Sequence, residues 1–264
     1  MRRFSRILFA SLAVILSGCA GTNTNTTSVP PSYPTLTGNW ELTLGPPAYD
    51  AGAYLTNTNG SVSGIIYLYD MPCYLTADLH WIPIPVTGTM SLSGVLSVTS
   101  STVAGQVLSL SGTVVSGTMA TSGIVEGKYS ITGGCANGYG GTASGSTVLP
   151  YSNTYNGSFG PDLEPGSPFT ATIITTQTGP DAEGLFHVTG TATFTGNPCM
   201  TSGTITSSTI SGTSFVATIT DTAGNQIIFG GDLTYGYILG SYEMWGPSCP
   251  VSTGSDRLSV VAEP

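Results

Sequence analysis

Positive charge is almost missing from this chain. Its 264 residues hold five Lys and Arg against fourteen Asp and Glu. Arg2, Arg3 and Arg6 open the chain, so Lys128 and Arg257 are the only cations after them, and residues 19–264 carry a net charge of −12. Neutralising phosphates takes clustered Lys and Arg, so nucleic acid is excluded as a partner. An electrostatic grip on anionic lipid headgroups is excluded for the same reason. Histidine is scarce as well, with His80 and His187 alone. There is no G-x-S-x-G, no C-x-x-C and no glycine-rich loop opening a helix. The usual supports for a serine hydrolase, a zinc centre or a phosphate cradle are therefore lacking, and no cofactor or metal is expected. No apolar run is long enough to span a bilayer, and no useful helical periodicity occurs after residue 16.

What the chain does have is glycine, 36 residues of it, among many Thr, Val, Ile and Tyr, a composition that favours strands and tight turns. It also repeats itself. Gly117, Gly123, Gly127, Tyr129 and Cys135 recur as Gly230, Gly236, Gly240, Tyr242 and Cys249, and only the cysteine slips by one place. Gly64 stands before Pro72-Cys73 as Gly190 stands before Pro198-Cys199, and Gly38-Asn-Trp40 opens one copy as Gly157-Ser-Phe159 opens the other. Units of this length are duplicated domains rather than solenoid repeats. Between Cys73 and Gly117 the first copy carries 13 more residues than the second carries between Cys199 and Gly230. The excess includes Leu79-His80-Trp81-Ile82-Pro83-Ile84-Pro85, whose prolines point to a loop or a sheet edge.

The first residues have a separate logic. Met1–Arg6 is basic, Ile7–Leu16 is apolar, and Leu16-Ser17-Gly18-Cys19 follows. This layout is that of an exported signal, and Leu-Ser-Gly-Cys resembles the lipobox of bacterial lipoproteins. The resemblance implies cleavage before Cys19, diacylglycerol on its sulfur and acylation of the new amino terminus. Ala20, where an Asp would hold such a protein at the inner membrane, favours the outer membrane, with the domains periplasmic or surface-exposed. Residues 1–18 are thus the signal peptide and 19–37 the lipidated Cys and a Thr/Asn/Ser/Pro tether. With Cys19 assigned to lipid, four cysteines remain, two per copy. In an exported protein they form disulfides, and the duplication selects Cys73–Cys135 and Cys199–Cys249 among three connectivities.

The domains are placed at 38–148 and 157–264, with a linker at 149–156. In the first copy, strands are expected at 39–44, 53–58, 62–69, 86–92, 96–103, 106–115, 124–131 and 141–148. Strand alternation in Gly123–Ile131 puts Gly123, Val125, Gly127, Tyr129 and Ile131 inward and Ile124, Glu126, Lys128 and Ser130 outward. Short strands joined by regular turns give an all-β chain of two antiparallel meander domains, each a small up-and-down barrel, with a β-sandwich as the alternative. Gly38-Asn-Trp40 resembles the G-x-W that opens lipocalin barrels. In that family an Arg late in the barrel packs across the Trp, and here the late Arg is Arg257, in the other copy.

Few residues invite chemistry. Gly160-Pro-Asp162-Leu-Glu164 and Gly179-Pro-Asp181-Ala-Glu183 echo each other and offer carboxylates for calcium or acid/base work, but Pro-Asp is also an ordinary turn opening. Asp78 beside His80 is a base-and-orienter pair by sequence alone. A face of aromatics is the stronger signal. Gly64, Ile66 and Leu68 are expected inward, leaving Ile65, Tyr67 and Tyr69 outward near Tyr74, His80 and Trp81; the second copy puts Thr191, Thr193 and Thr195 there. Tyr67, Tyr69, Tyr74, His80 and Trp81 are thus the candidate ligand-binding residues, fit for a small hydrophobic ligand, a glycan or an envelope protein, unless that face packs on the second copy. The expected role is a non-catalytic binding or interaction module, membrane-held through its lipid. The alternatives are a passive assembly component of the surface and, behind it, a hydrolase.

Overall fold

The structure is a computed structural model describing residues 32–69, 71–77, 80–116, 122–161, 168–234 and 237–260. The signal peptide, Cys19, Asp78, Gly117, Asp162, Glu164 and Gly236 lie outside the described residues. The first copy folds as β1 (Gly38–Gly45), β2 (Tyr49–Thr58), β3 (Ser61–Leu68), a 3₁₀ turn (Pro72–Tyr74), β4 (Ile84–Met90), β5 (Val95–Ser100), β6 (Gln106–Ser116), β7 (Ser122–Gly133) and β8 (Gly140–Thr147). The second folds as β9 (Thr154–Pro161), β10 (Phe169–Thr178), β11 (His187–Thr195), β12 (Ser202–Ser211), β13 (Ser214–Thr220), β14 (Gln226–Thr234), β15 (Tyr237–Trp245) and β16 (Ser252–Val260). Each set is a closed eight-stranded antiparallel barrel. Barrel, not sandwich, is the outcome. Closure comes from β1 on β8, where Trp40 faces Thr147, and from β9 on β16, where Phe159 faces Asp256. No free sheet edge is left in either barrel.

Alternation of side chains fills both barrels. In β1, Trp40, Leu42 and Leu44 point inward and are fully buried, and the Trp40 indole N–H donates to the Leu36 carbonyl at 2.6 Å. Leu36, which the sequence left in the tether, is therefore part of the first core. The second barrel carries aromatics instead: Phe159 stacks on Phe169 at 4.9 Å and meets Phe194, Phe229 and Tyr242 edge-on. Each disulfide ties the segment after the third strand of its barrel to the turn after the seventh, Cys73 to Cys135 and Cys199 to Cys249. All eight strands expected in the first copy are present, with ends shifted by a few residues.

Two expectations change. In β7 the inward set breaks at a bulge: Glu126 takes a φ of 53°, and register slips between Ile124 and Gly127. An extra residue reverses the facing upstream of it, so Ile124 is buried and Val125 exposed, while Gly127, Tyr129 and Ile131 stay inward as expected. The linker is shorter than 149–156, since β9 starts at Thr154 and Tyr151 is fully buried against Phe215. The late Arg257 places its guanidinium 5.1 Å from the centre of the Tyr237 ring, on the outside of the second barrel.

The outer face of β1–β3 receives the turn ends of the second barrel. Asn39 exchanges two hydrogen bonds with Gly212, both 2.8 Å, and the Tyr54 ring meets Phe186 edge-on at 5.6 Å. Gly52 and Gly212 meet across the junction. Gly212 needs its φ of +54°, and a Cβ on Gly52 would stand 2.5 Å from the Ser211 carbonyl carbon. Gly52→Val is therefore expected to cost about 1–3 kcal/mol and to loosen the junction while leaving each barrel closed. Faster proteolysis between Thr147 and Thr154, with intact barrel fragments, is the readout.

Candidate functional site

The junction brings together most of the aromatic residues singled out in the sequence. Ile66 and Leu68 of β3 point into the first core, as alternation requires. Tyr67 and Tyr69 point out and are covered in large part by the second barrel. The Tyr67 hydroxyl donates to the Glu183 carbonyl at 2.8 Å, and the Tyr69 hydroxyl donates to the Ser211 carbonyl. Burial pushes both phenols well above their ordinary range. Trp81 comes from the long β3–β4 connection, closed by a bridge between Leu75 and Trp81. Its ring lies 4.6 Å from the Tyr69 ring and is 37% exposed. Tyr74 is not part of this surface: the 3₁₀ turn swings it into the first core, where it is fully buried, and burial raises its phenol to about 12.

Trp81 is a ridge between two clefts. One, of about 390 Å³, is bounded by Tyr67, His80, Trp81, Glu183 and Ser211. The other, of about 420 Å³, is bounded by Glu41, Asp50, Tyr69, Trp81, Thr213 and Asp232. Ser214 borders both. Glu41 alternates outward from β1, and one carboxylate oxygen accepts from the Thr213 amide at 2.8 Å and from its hydroxyl at 3.1 Å. Burial, and beyond it the negative charges of Asp50 and Asp232, push the Glu41 carboxyl up to about 7 against the two Thr213 hydrogen bonds. Among the described residues no Lys or Arg borders either cleft. Among the described residues no three His, Cys, Asp or Glu are gathered to hold a metal ion.

The acidic turn at Asp181 does the work of a turn. One carboxylate oxygen accepts from the amides of Glu183 and Leu185 at 2.8 and 3.0 Å, and the other meets His187 Nε2 at 2.9 Å. Asp221 caps the β13–β14 turn in the same way, accepting from Ala223 and Asn225. His187 Nδ1 faces the Ser208 carbonyl. Both ring nitrogens thus face acceptors, an arrangement that favours the imidazolium. Burial lowers its pKa, but the bonds to Asp181 and Ser208 outweigh that and raise it. Burial likewise pushes the Asp181 carboxyl up, and its hydrogen bonds from His187, Leu185 and Glu183 more than reverse this. With each ring nitrogen turned to a neighbouring acceptor, His187 is poorly placed to serve as a base. The sequence pattern does not single out this pair; its one signal is an Asp-x-x-Gly turn six residues before a His on the returning strand.

Asp256 points into the second barrel, 3% exposed, with neither carboxylate oxygen hydrogen-bonded. Burial raises its carboxyl to about 7. Glu41, Asp256 and His187 all have pKa values raised by folding, so their stabilising contribution is complete below the unfolded values and is lost as pH rises through the folded ones. Asp181 and Asp221 are lowered, and theirs is lost as pH falls below the ordinary carboxylate range. The melting temperature is therefore expected to peak near pH 4–5 and to fall by several degrees toward pH 8. Asp256→Asn should flatten the alkaline side; a thermal scan across this range checks both.

No family model matches the chain, and no curated protein does. A solved structure, kievitone hydratase from Nectria haematococca, aligns over 89% of this chain and 94% of its own, with 11% identity and a TM-score of 0.25. A likeness that remote carries no functional inference.

Proposed function

We propose that this chain is a lipid-anchored protein of the bacterial cell envelope, held at the outer membrane through Cys19, and that its two barrels form a non-catalytic binding module. One observation carries the binding reading. The 13 extra residues of the first copy include Trp81, a large aromatic kept partly exposed on a ridge between two clefts instead of being covered like Tyr67 and Tyr69. Exposed aromatic area is costly to maintain in water and is retained where something docks. The binding place is thus the seam between the barrels. The barrel interiors do not take this role, because Trp40 and its neighbours fill the first and the Phe159 cluster fills the second. His187, spent on two acceptors, lends no support to a hydrolase.

The test has two arms. Cys19→Ser should leave the protein in the soluble envelope fraction, whereas the parent partitions with the outer membrane and incorporates radiolabelled palmitate. A photo-crosslinking amino acid at position 81 in living cells should yield a discrete adduct that the same group at Val251, far more exposed at 74%, does not. Equal adducts at the two positions, or none at 81, would end the binding reading and leave a passive surface component.

A further inference from the structure

One end of the first barrel is apolar and nearly uncharged. Val95, the first residue of β5, stands opposite Thr113 of β6, and Thr113 stands opposite Val125 of β7. Val115 follows on the same side of β6, and Leu92 lies in the β4–β5 turn. Each of these four aliphatic side chains is at least 41% exposed. Isolated exposed aliphatics are ordinary, but a group carried across three adjacent strands is a patch. Its surroundings are neutral. Residues 81–161 hold one acid, Glu126, and one base, Lys128, while the other thirteen acids fall outside that range. The corresponding row of the second barrel is Ser214, Asp232 and Leu239.

The chain enters the first barrel at this same end. Tyr33 lies against Gly60 and Pro34 against Gly94, and the Thr35 amide donates to Ser116 Oγ at 3.4 Å. The second barrel shows what an entry end does. Its linker arrives beside the β12–β13 turn, where the Tyr151 hydroxyl donates to the Thr213 carbonyl at 2.6 Å. That turn rests on the body from which the linker comes, since the Gly212 and Thr213 amides donate to Asn39 and Glu41 of the first barrel. The β4–β5 turn is its counterpart, and the segment arriving there leads back to Cys19.

We propose that this end of the first barrel lies on the lipid bilayer, with Leu92, Val95, Val115 and Val125 set against its surface. The proposal rests on the lipid anchor proposed above and adds an orientation to it. Cys19 stands thirteen positions before Ser32, a length of chain that reaches at most about 45 Å. The bilayer that holds the lipid is therefore close to the end where Ser32 stands. Anionic headgroups repel acidic surfaces within a Debye length. The neutral end approaches them at the least electrostatic cost, and the acidic second barrel is turned away. Glu126 and Lys128 cancel, so the contact is made by aliphatic side chains and does not weaken with salt.

The experiment places the full chain, purified from the cell envelope, in vesicles of phosphatidylethanolamine and phosphatidylglycerol with brominated phosphatidylcholine, which quenches tryptophan on contact. Tryptophan is introduced at Val95 or, as the control, at Val251, which precedes β16 at the end of the second barrel away from its linker. Quenching beyond that of the parent is expected for Val95→Trp and not for Val251→Trp, at low and high salt alike. Adding Val115→Asp and Val125→Asp to Val95→Trp should abolish it while near-ultraviolet circular dichroism stays native; the comparison of 95 with 251 does not depend on those two replacements. Equal quenching at both positions, none at 95, or quenching that survives the Asp replacements in a folded chain overturns the proposal. So do cross-linked dimers through position 95 without quenching, which would give the patch to a second copy. Flotation tells the two readings apart. A chain that floats with the vesicles but is not quenched at 95 keeps its anchor and loses this orientation, whereas a chain that does not float loses both.

Discussion

Replacing Phe159 by Ala should cost about 3–5 kcal/mol, among the largest effects of any single substitution in the chain. Phe159 is fully buried and central to the second core: Phe169 lies parallel to it at 4.9 Å, and Tyr242, Phe229 and Phe194 present edges at 5.2, 6.1 and 6.4 Å. Truncation removes the burial of one ring and four ring–ring contacts at once, and leaves a cavity walled by aromatic rings that cannot collapse far. Phe159→Leu, which keeps most of the volume, should cost less than half as much. The readout is urea unfolding followed through Trp245, which lies at the end of β15, with Trp40 and Trp81 replaced by Phe. Equal midpoints for the Ala and Leu variants would mean that the cluster contributes through its ring–ring contacts and not by volume.

The pairing of Gly38-Asn-Trp40 with Gly157-Ser-Phe159 is four residues out of step, since Tyr155 stands opposite Val260 as Trp40 stands opposite Thr147, but the duplication of an all-β unit is legible in the amino-acid sequence. So are the eight strands and both disulfides, because duplication offers two readings of each position and alternation with period 2 is a local property. Long-range contacts are not legible in this way. Whether Tyr67 and Tyr69 face water or the second barrel depends on residues 116 and 142 positions away, and no periodicity encodes that. The bulge at Glu126 is hidden for a related reason, since one residue in a left-handed conformation reverses the facing of Ile124 and Val125 without altering composition. Tyr74 escapes the expected surface because a 3₁₀ turn follows β3 where alternation would otherwise continue. The candidate site is thus half visible: its aromatic members can be read from the chain, while Glu41, Asp232 and Ser211 enter only through the docking of one barrel on the other.

The cross-links make the sharpest claim about how the two barrels share their stability. Cys73–Cys135 closes a span of 62 residues and Cys199–Cys249 one of 50. The chain-entropy account assigns each about 4 kcal/mol through the unfolded state, a large part of the roughly 5–15 kcal/mol that a domain commonly holds. Replacing both cysteines of one bond by Ala should therefore lower the unfolding midpoint of that barrel steeply. The other barrel should be affected only through the junction hydrogen bonds of Asn39, Glu41, Tyr67 and Tyr69. The two bonds lie in separate barrels and close non-overlapping loops, so removing both should cost nearly the sum of the single losses. In the parent the barrels should unfold in one transition. In the Cys199→Ala, Cys249→Ala variant the second barrel should melt first, leaving Trp40 buried at temperatures where Trp245 already reports water. A single shared transition in that variant would mean that the junction, rather than each barrel's own closure and cross-link, sets the cooperative unit.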